Sequence, residues 1–259
     1  MMEKKVTALQ LKAVAAGTML MDHIGAVLIL EVVRSQKDPA RFEVWKFVYW
    51  YIRGIGRMAF PLFVFLLVEG FFHTRSRLKY LGRLILFGIL SEVPFDLAVK
   101  LKVQQISAGQ FLEYSGQNVM FTLAIGFFCM WVMEELLFTA PDDTGFLKRT
   151  GRVYLPCVLV ILSGSILGEY FSVDYGWGGV LAISMAYLFR KFQDRKAGFA
   201  AQIMVLCVYS AFECVALLDY FLITRYDGEK GRAGFKWFFY VFYPVHLFIL
   251  GLMRYFWFR

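Results

Sequence analysis

The feature that most constrains this chain is a succession of apolar stretches that runs nearly from end to end. A membrane-spanning helix needs roughly 20 mostly apolar residues. Hydrophobic residues make up 59% of the 259 residues, against about 45–50% in a soluble domain, so lipid must solvate part of this surface. The sequence therefore predicts an all-α, polytopic membrane helix bundle in one domain, residues 1–259. About eight transmembrane helices are predicted, at about 6–31, 56–73, 80–98, 119–138, 153–168, 176–190, 197–218 and 236–257.

The stretch 42–53 is aromatic and dotted with charge, which predicts an interfacial amphipathic helix before the second span. The basic residues gather in alternate loops, and by the positive-inside rule these loops and both termini are predicted to be cytoplasmic. This also accounts for the formal charge of +8 without a nucleic-acid partner. The residues concerned are Lys4, Lys5, Lys12, Arg75, Arg77, Lys79, Arg83, Lys148, Arg149, Arg152, Arg190, Lys191, Arg195 and Lys196.

Ionisable side chains inside a bilayer cost several kcal/mol unless they are paired or hydrated, so they indicate a functional site. His23 and His246 would both lie about 12–15 Å below the outer face, at 1.5 Å of rise per residue. Because several separate spans place polar side chains at the same depth, the sequence predicts that these side chains share one polar cavity. The residues of this layer are Asp22, His23, Arg57, Glu92, Asp96, Asn118, Thr122, Asp174, Tyr175, Trp177, Tyr243 and His246.

Structural roles would explain several of the same residues. Asp96 and Asp174 could be solvated helix ends, His23 could be a satisfied core histidine, and His246 could have a structural role. Asn118 and Thr122, four residues apart, could cap a helix and join it to a neighbour. Tyr175 and Trp177 could be anchors in an aromatic belt, which lies where a membrane meets water.

A second group of polar residues lies at the inner end of the second span. An electropositive rim of this kind could bind a polyphosphate such as coenzyme A. The plainer interpretation is that the loop only orients the protein and that its carboxylate pairs with an arginine. The residues are Glu69, His73, Arg75, Arg77, Lys79 and Arg83.

Six phrases in order along the chain resemble the TraX family over nearly its whole length. They run through Leu11–Gly25, Gly56–Thr74, Arg83–Asp96, Asn118–Leu123, Asp174–Gly178 and Phe242–Leu247. Members of this family are associated with N-terminal acetylation of the pilin of conjugative pili. They are grouped with acyltransferase family 3 and with the lysosomal heparan glucosaminide N-acetyltransferase, which use cytoplasmic acyl-CoA.

The resemblance implies an acetyl-CoA-dependent acetyltransferase of the bacterial cytoplasmic membrane. Its co-substrate would be acetyl-CoA, no metal is expected, and its partners would be lipid and an extracytoplasmic acceptor, a pilin or a glycan. Acyltransferase family 3 carries an arginine, ten residues and then a functional histidine in its first span. Lys12 and His23 have that spacing here, with lysine in place of arginine.

The resulting hypothesis makes His23 the general base, because the pKa of an imidazole lies near neutrality. Asp22 projects about 100° away from His23 on a helix, so it is expected to contact another span, such as Arg57. Glu92 or Asp96 would orient the imidazole. The candidates that donate to the carbonyl oxygen are Asn118, Tyr243 and Arg57.

Three other classes of function remain open from the sequence. His23 and His246 could be the axial ligands of a b-type cytochrome. Asp22, His23, Glu92 and Asp96 could relay protons in a coupled transporter. The fold could also serve assembly without chemistry.

Overall fold

Helices form nearly all of the chain that the computed structural model describes, which is residues 5–138, 150–231 and 236–259. The basic residues Lys4, Lys148 and Arg149 lie outside these ranges. The α-helices are α1 (Ala8–Ile24), α2 (Leu30–Ser35), α3 (Pro39–Gly56), α4 (Ala59–His73), α5 (Arg77–Phe95), α6 (Val103–Ser107), α7 (Val119–Phe138), α8 (Leu155–Tyr170), α9 (Gly176–Phe192), α10 (Arg195–Tyr209), α11 (Tyr220–Thr224) and α12 (Lys236–Phe258). Short π-helical segments at Gly25–Ile29, Asp96–Lys100 and Thr150–Tyr154 extend three of them, and Ala211–Asp219 is a 3₁₀ helix.

Several of these helices are long and apolar enough to cross a bilayer, which confirms the predicted class of multi-pass, all-α membrane protein. In the described ranges they are Ala8–Ser35, Pro39–His73, Val119–Phe138, Gly151–Tyr170 and Trp237–Phe258. The predicted spans at 80–98, 176–190 and 197–218 are not among these five. The predicted number of about eight spans is therefore not confirmed.

Polar caps begin several of the helices that follow loops, where each cap satisfies a backbone N–H that has no partner within its helix. Asp38 accepts from the amide of Ala40 at 3.0 Å before α3. Asp194 accepts from the amide of Ala197 at 2.8 Å before α10. Thr7 and Gln10 form a reciprocal capping box before α1.

The helix predicted before the second span is present as α3. Only Arg57 and Met58 separate it from α4, so Pro39–His73 forms one helical segment of 35 residues that contains a window apolar enough to span a membrane. It packs along α1 and α2. A Cβ added at Gly25 would lie 3.1 Å from Ile52, so the backbones approach closely at this point. This contact holds α3 beside the segment of the chain that carries Asp22 and His23.

The first and last long helices run in the same direction. His23 contacts His246, and Glu31, eight residues further on, binds Arg254 at 2.8 Å. Arg254 also donates to the carbonyls of Ala98 and Leu101. A parallel α1 and α12 would begin at the same face of a membrane and end at the other, which differs from the predicted arrangement with both termini cytoplasmic. The orientation of the termini remains a prediction.

The chain reverses its direction within the predicted span 197–218. Helix α10 ends at Tyr209, and extended Ser210 accepts a hydrogen bond from the amide of Phe212 at 3.3 Å. The chain then returns along α10 as the 3₁₀ helix and α11, with the rings of Phe199 and Tyr220 6.3 Å apart. It ends this pass beside the start of α1, where the amide of Asp227 donates to the carbonyl of Val6. The residues of one predicted span thus form two antiparallel helical segments.

Close helix packing fills the centre of the bundle. A Cβ added at Gly126 of α7 would lie within 2.9 Å of three atoms of Ile183 on α9, so only glycine permits this separation. Small residues at such crossings let transmembrane helices approach closely. Phe127, Met130 and Tyr187 pack in the same core. This core fixes α7 and α9, and with them the loop that enters the site described next.

Candidate functional site

A cavity of about 200 Å³ lies between α1, α3, α4, α5 and α7. Five residues predicted from sequence line it, namely Asp22, His23, Arg57, Asp174 and Tyr175. Its wall also includes Arg53, Lys100, Phe60, Phe95 and Val119. Predicted residues from three separate parts of the chain therefore meet in one cavity, while the other predicted residues of the layer do not line it, and all catalytic roles remain predictions.

The two histidines predicted at one depth are in direct contact. Nδ1 of His23 lies 2.7 Å from Nε2 of His246, and the ring centroids are 4.9 Å apart. Nδ1 of His246 in turn lies 2.7 Å from the carbonyl oxygen of Phe242 on its own helix. Tyr243 packs against both imidazoles, 6.1 Å from His23 and 5.8 Å from His246 between centroids. Its hydroxyl is buried without a hydrogen-bond partner.

A charged network forms the opposite wall of the cavity. Asp22 binds Arg53 through one carboxylate oxygen and Arg57 through the other, the latter at 2.6 Å. The structure thus confirms the predicted contact between Asp22 and Arg57. Arg57 also donates to Glu213 at 3.0 Å and to the hydroxyl of Tyr175 at 3.4 Å. Two carboxylates against two guanidinium groups keep the buried cluster neutral, which is the condition for placing charges in an apolar medium.

Two members of this network, Arg53 and Glu213, were not predicted. Arg53 lies four residues before Arg57, and that spacing places both on one helix face. Glu213 is an ionisable residue in an apolar stretch, which is a signal for a site in itself. It belongs to the 3₁₀ helix, where three residues per turn align it with Ala216 and Asp219. All three are at most 3% exposed.

Gly56 is where α3 comes closest to Asp22. A Cβ added at this position would lie within 2.7 Å of three Asp22 atoms. The absence of a side chain therefore allows the carboxylate to reach both arginines.

The loop before α9 supplies the third wall. Tyr175 has a left-handed backbone, with φ 64°, and its ring stacks on Phe60 at 3.8 Å between centroids and an interplanar angle of 10°. Thr122 donates to the carbonyl of Asp174. A Cβ added at Gly179 would lie 2.7 Å from Tyr175 and from Thr122. Thr122 therefore has a structural contact here, and it presents Asp174 and Tyr175 to the cavity.

Glu92 and Asn118 form a separate cluster away from His23. The Asn118 amide group donates to the carbonyl of Gly88 at 2.8 Å and to Glu92, while its oxygen accepts from the amide of Met120 at 3.0 Å. Both donor hydrogens are occupied, so the plainer interpretation of Asn118 as a cap is the one that the structure supports. Asp96 accepts from the amide of Glu113 at 2.9 Å.

Neither Glu92 nor Asp96 hydrogen-bonds to His23, so the expectation that one of them orients the imidazole is wrong. The group in that position is His246. Trp177 is 39% exposed and packs on Tyr209 rather than lining the cavity.

The inner rim lies at the other end of α4 and α5. Glu69 is buried between Arg190 at 2.6 Å and Arg195 at 3.1 Å, and its carbonyl binds Nδ1 of His73 at 2.7 Å. The carboxylate therefore pairs with arginines, as the plainer interpretation expected.

The basic residues of the rim differ in how strongly they are engaged. Arg77 binds Glu135 at 2.8 Å, and Arg83 stacks over Tyr80 at 5.4 Å. Arg75 and Lys79 are exposed, and in the described ranges neither forms a salt bridge.

The same geometry bears on two alternatives. Axial haem ligands need the iron between their nitrogens, whereas the nitrogens of His23 and His246 are at hydrogen-bond distance. The proton relay proposed for a transporter is not assembled, because Glu92 and Asp96 lie in other clusters. Within the described ranges, no group of three His, Cys, Asp or Glu residues is placed to hold a metal ion.

The fold and the site together define a multi-pass helical membrane protein with a polar, histidine-containing cavity inside its bundle. Residues 8–254 match the family described as TraX protein, and the chain belongs to that family. It is 30% identical over 253 residues to the probable fimbrial assembly protein FimC, serogroup H1, of Dichelobacter nodosus, which covers 94% of each chain. It is 26% identical over 258 residues to the protein TraX of Escherichia coli, covering 94% of this chain and 85% of that protein. No solved structure matches it significantly.

Proposed function

We propose that this protein is a membrane acyltransferase that moves an acetyl group from cytoplasmic acetyl-CoA to an amine or hydroxyl acceptor at or beyond the outer face of the bacterial cytoplasmic membrane. The observation that supports the proposal is the position of His23, whose Nδ1 lies at hydrogen-bond distance from His246 while its ring lines the polar cavity. An imidazole held in this way is suited to general base catalysis. Membership of the TraX family, associated with acetylation of pilin, agrees with this chemistry.

The transfer is a nucleophilic substitution at the thioester carbonyl. The acceptor nitrogen or oxygen attacks that carbon while His23 takes its proton, so the new bond to carbon forms as the C–S bond breaks. The proton then passes from His23 to the departing thiolate, which leaves as the thiol of coenzyme A. A two-step alternative is also open, in which Nε2 of His23 attacks the thioester as a nucleophile, coenzyme A leaves as the thiolate, and the acceptor then displaces the imidazole from the acetyl carbon and loses its proton to the imidazole that departs.

The carbonyl oxygen gains negative charge in this step and needs a donor. The Arg57 donors already bind Asp22, Glu213, Tyr175 and the carbonyl of Arg53. The amide donors of Asn118 are occupied as well. Of the three candidates, Tyr243 is the one whose hydroxyl is buried without a hydrogen-bond partner, but its side chain does not line the cavity, so we leave the donor to the carbonyl oxygen unassigned.

Only some of the basic residues of the inner rim are available to bind the phosphates of acetyl-CoA. Arg75 and Lys79 are exposed cations, whereas Arg77 is engaged by Glu135. Along α5, Arg77 and Arg83 lie about 27 and 18 Å from Phe95 at the cavity, at 1.5 Å per residue. The pantetheine arm would have to cover this distance between helices. A cavity of about 200 Å³ holds the acetyl end of the donor rather than the whole molecule.

The relatives suggest a class of acceptor. Because one of them is named for fimbrial assembly, we propose that the acceptor is the N-terminal amine of a pilus subunit. A glycan hydroxyl or amine is the alternative.

The test uses the full chain in lipid nanodiscs with radiolabelled acetyl-CoA. A short peptide with a free N-terminus and glucosamine serve as the two acceptor probes. We expect transfer to the peptide, and we expect His23→Gln to lower kcat by about 10²–10⁴-fold, the usual contribution of a general base. Glu43→Gln, on the exposed side of α3, is the control and should leave the rate unchanged.

Rim and cavity variants separate donor binding from chemistry. A double Arg75→Ala, Lys79→Ala variant should raise the KM for acetyl-CoA and leave kcat within about twofold, because it removes binding present throughout the reaction. The proposal is overturned if wild-type protein neither binds acetyl-CoA nor transfers its label, or if His23→Gln is as active as wild type.

A further inference from the structure

We propose that His246 is a positioning residue that fixes the tautomer of His23, so that Nε2 of His23 is the unprotonated nitrogen available in the cavity. This inference rests on the proposed function for its kinetic consequence. Its structural content stands on the histidine contacts alone.

The carbonyl of Phe242 determines where His246 carries its hydrogen. A carbonyl oxygen only accepts hydrogen bonds, so Nδ1 of His246, 2.7 Å away, carries a hydrogen. A neutral imidazole has one hydrogen on its two ring nitrogens, which leaves Nε2 of His246 as an acceptor.

The same rule then determines His23. Its Nδ1 lies 2.7 Å from Nε2 of His246 and must donate the hydrogen of that bond. Nε2 of His23 is consequently the bare nitrogen, on the side of the ring away from α12. The opposite arrangement would require a doubly protonated His246. It would place a positive charge on a buried side chain that forms no salt bridge with the described residues, because the nearby carboxylates Asp22 and Glu213 already bind Arg53 and Arg57.

The arrangement also prepares His23 for the proton that it receives. When Nε2 takes a proton, Nδ1 keeps its hydrogen, and the bond to His246 persists without rearrangement. A carboxylate performs this task in serine hydrolases, where a wrong tautomer costs about 10⁴-fold in kcat. Here the orienting group is a neutral imidazole that is itself fixed by the backbone of its own helix.

Packing keeps both rings in place. His246 is 5% exposed, and its ring stacks on Phe242 with an interplanar angle of 20°. Tyr243 covers both imidazoles from the same helix. His246 does not line the cavity, so it acts through His23 and does not meet the substrate.

The experiment is nitrogen-15 NMR of protein labelled on histidine in lipid nanodiscs. The chain has only three histidines, and His73→Gln assigns the third signal. In wild type we expect His23 to show a hydrogen-bearing Nδ1 and a bare Nε2. In His246→Leu, which removes the acceptor, the hydrogen of His23 should move largely to Nε2. In His246→Gln, whose side-chain oxygen can accept, the wild-type pattern should be retained in part.

Kinetics give a second readout. His246→Leu should lower kcat by about 10²–10⁴-fold, by analogy with tautomer loss in a triad, while the KM for acetyl-CoA stays within twofold. His246→Gln should restore part of the rate. A merely structural role would lower activity in both variants without moving the hydrogen on His23.

The outcomes are distinguishable from those of the proposed function. A bare Nδ1 on His23 in the wild type, or an unchanged His23 tautomer in a folded His246→Leu, overturns the positioning role even if acetyl transfer is found. If the tautomer is as described but no acetyl is transferred, the proposed function fails and the positioning role stands. If His246→Leu does not fold, the spectra of the wild type and of His246→Gln still show which nitrogen of His23 carries the hydrogen, and so test the positioning role.

Discussion

The close approach of Gly56 to Asp22 makes Gly56→Ala a sharp test of the charged network. An added Cβ would lie within 2.7 Å of three Asp22 atoms, closer than side chains approach in proteins. Either α3 moves away from α1, or the Asp22 side chain rotates off Arg53 and Arg57. Gly17→Ala on α1 and Gly82→Ala on α5 are matched controls, because a Cβ at either position has no atom within 4 Å.

The expected magnitude follows from which of these responses occurs. In a helix interior, alanine is favoured over glycine by about 0.8–1.0 kcal/mol, so both controls should be neutral or stabilising. Overpacking alone costs about 1–3 kcal/mol. Displacing Asp22 would also leave the arginines without their partner, and breaking a buried ion pair costs about 3–5 kcal/mol. We therefore expect Gly56→Ala to destabilise the protein by about 1–5 kcal/mol.

The assay is thermal unfolding in one detergent, together with a double-mutant cycle. In an Asp22→Gly background all three clashing atoms, Oδ1, Cβ and Cγ, are absent, so Gly56→Ala should cost about 1–3 kcal/mol less than in the wild type. Acetyl transfer should fall in Gly56→Ala and not in the controls. Equal melting temperatures for Gly56→Ala and Gly17→Ala, or no coupling to Asp22, would refute the packing argument.

Three further predictions concern topology and charge. In a background without the four native cysteines, Lys5→Cys and Arg259→Cys should react with an impermeant maleimide from opposite sides of the membrane. Labelling of both cysteines from one side would contradict the parallel arrangement of α1 and α12. Arg57→Ala should destabilise the protein by about 3–5 kcal/mol, because Asp22 and Glu213 lose a shared partner. Adding Glu213→Gln should recover part of the lost stability in thermal unfolding. No recovery would argue against the ion pair between Arg57 and Glu213. Arg254→Ala should lower the melting temperature clearly, because its buried guanidinium joins Glu31 to two backbone carbonyls. Arg34→Ala removes an exposed partner of the same glutamate and should change the free energy of unfolding by less than about 1 kcal/mol. Equal effects of the two substitutions would refute the role of burial.

The sequence by itself determined the class of fold and the centre of the site. Apolar runs of spanning length can only be solvated by lipid, which fixes an all-α membrane bundle. Ionisable residues are rare and costly at membrane depth, so His23, His246, Asp22 and Arg57 stood out without any structure. The angle between neighbours on a helix sufficed to predict that Asp22 meets Arg57 rather than His23.

Only the tertiary structure decided how the chain crosses the bundle and which groups meet. The apolar run 197–218 contains no proline or glycine near Ser210, so its periodicity gives no sign of the reversal that divides one predicted span into two antiparallel helical segments. That reversal makes α12 parallel to α1, and the parallel register sets His246 against His23 while Arg254 meets Glu31. Glu92 and Asn118 share the predicted depth, yet they face each other because depth does not specify rotation about a helix axis. Local sequence fixes how deep a side chain lies, whereas packing between helices fixes which side chain it faces.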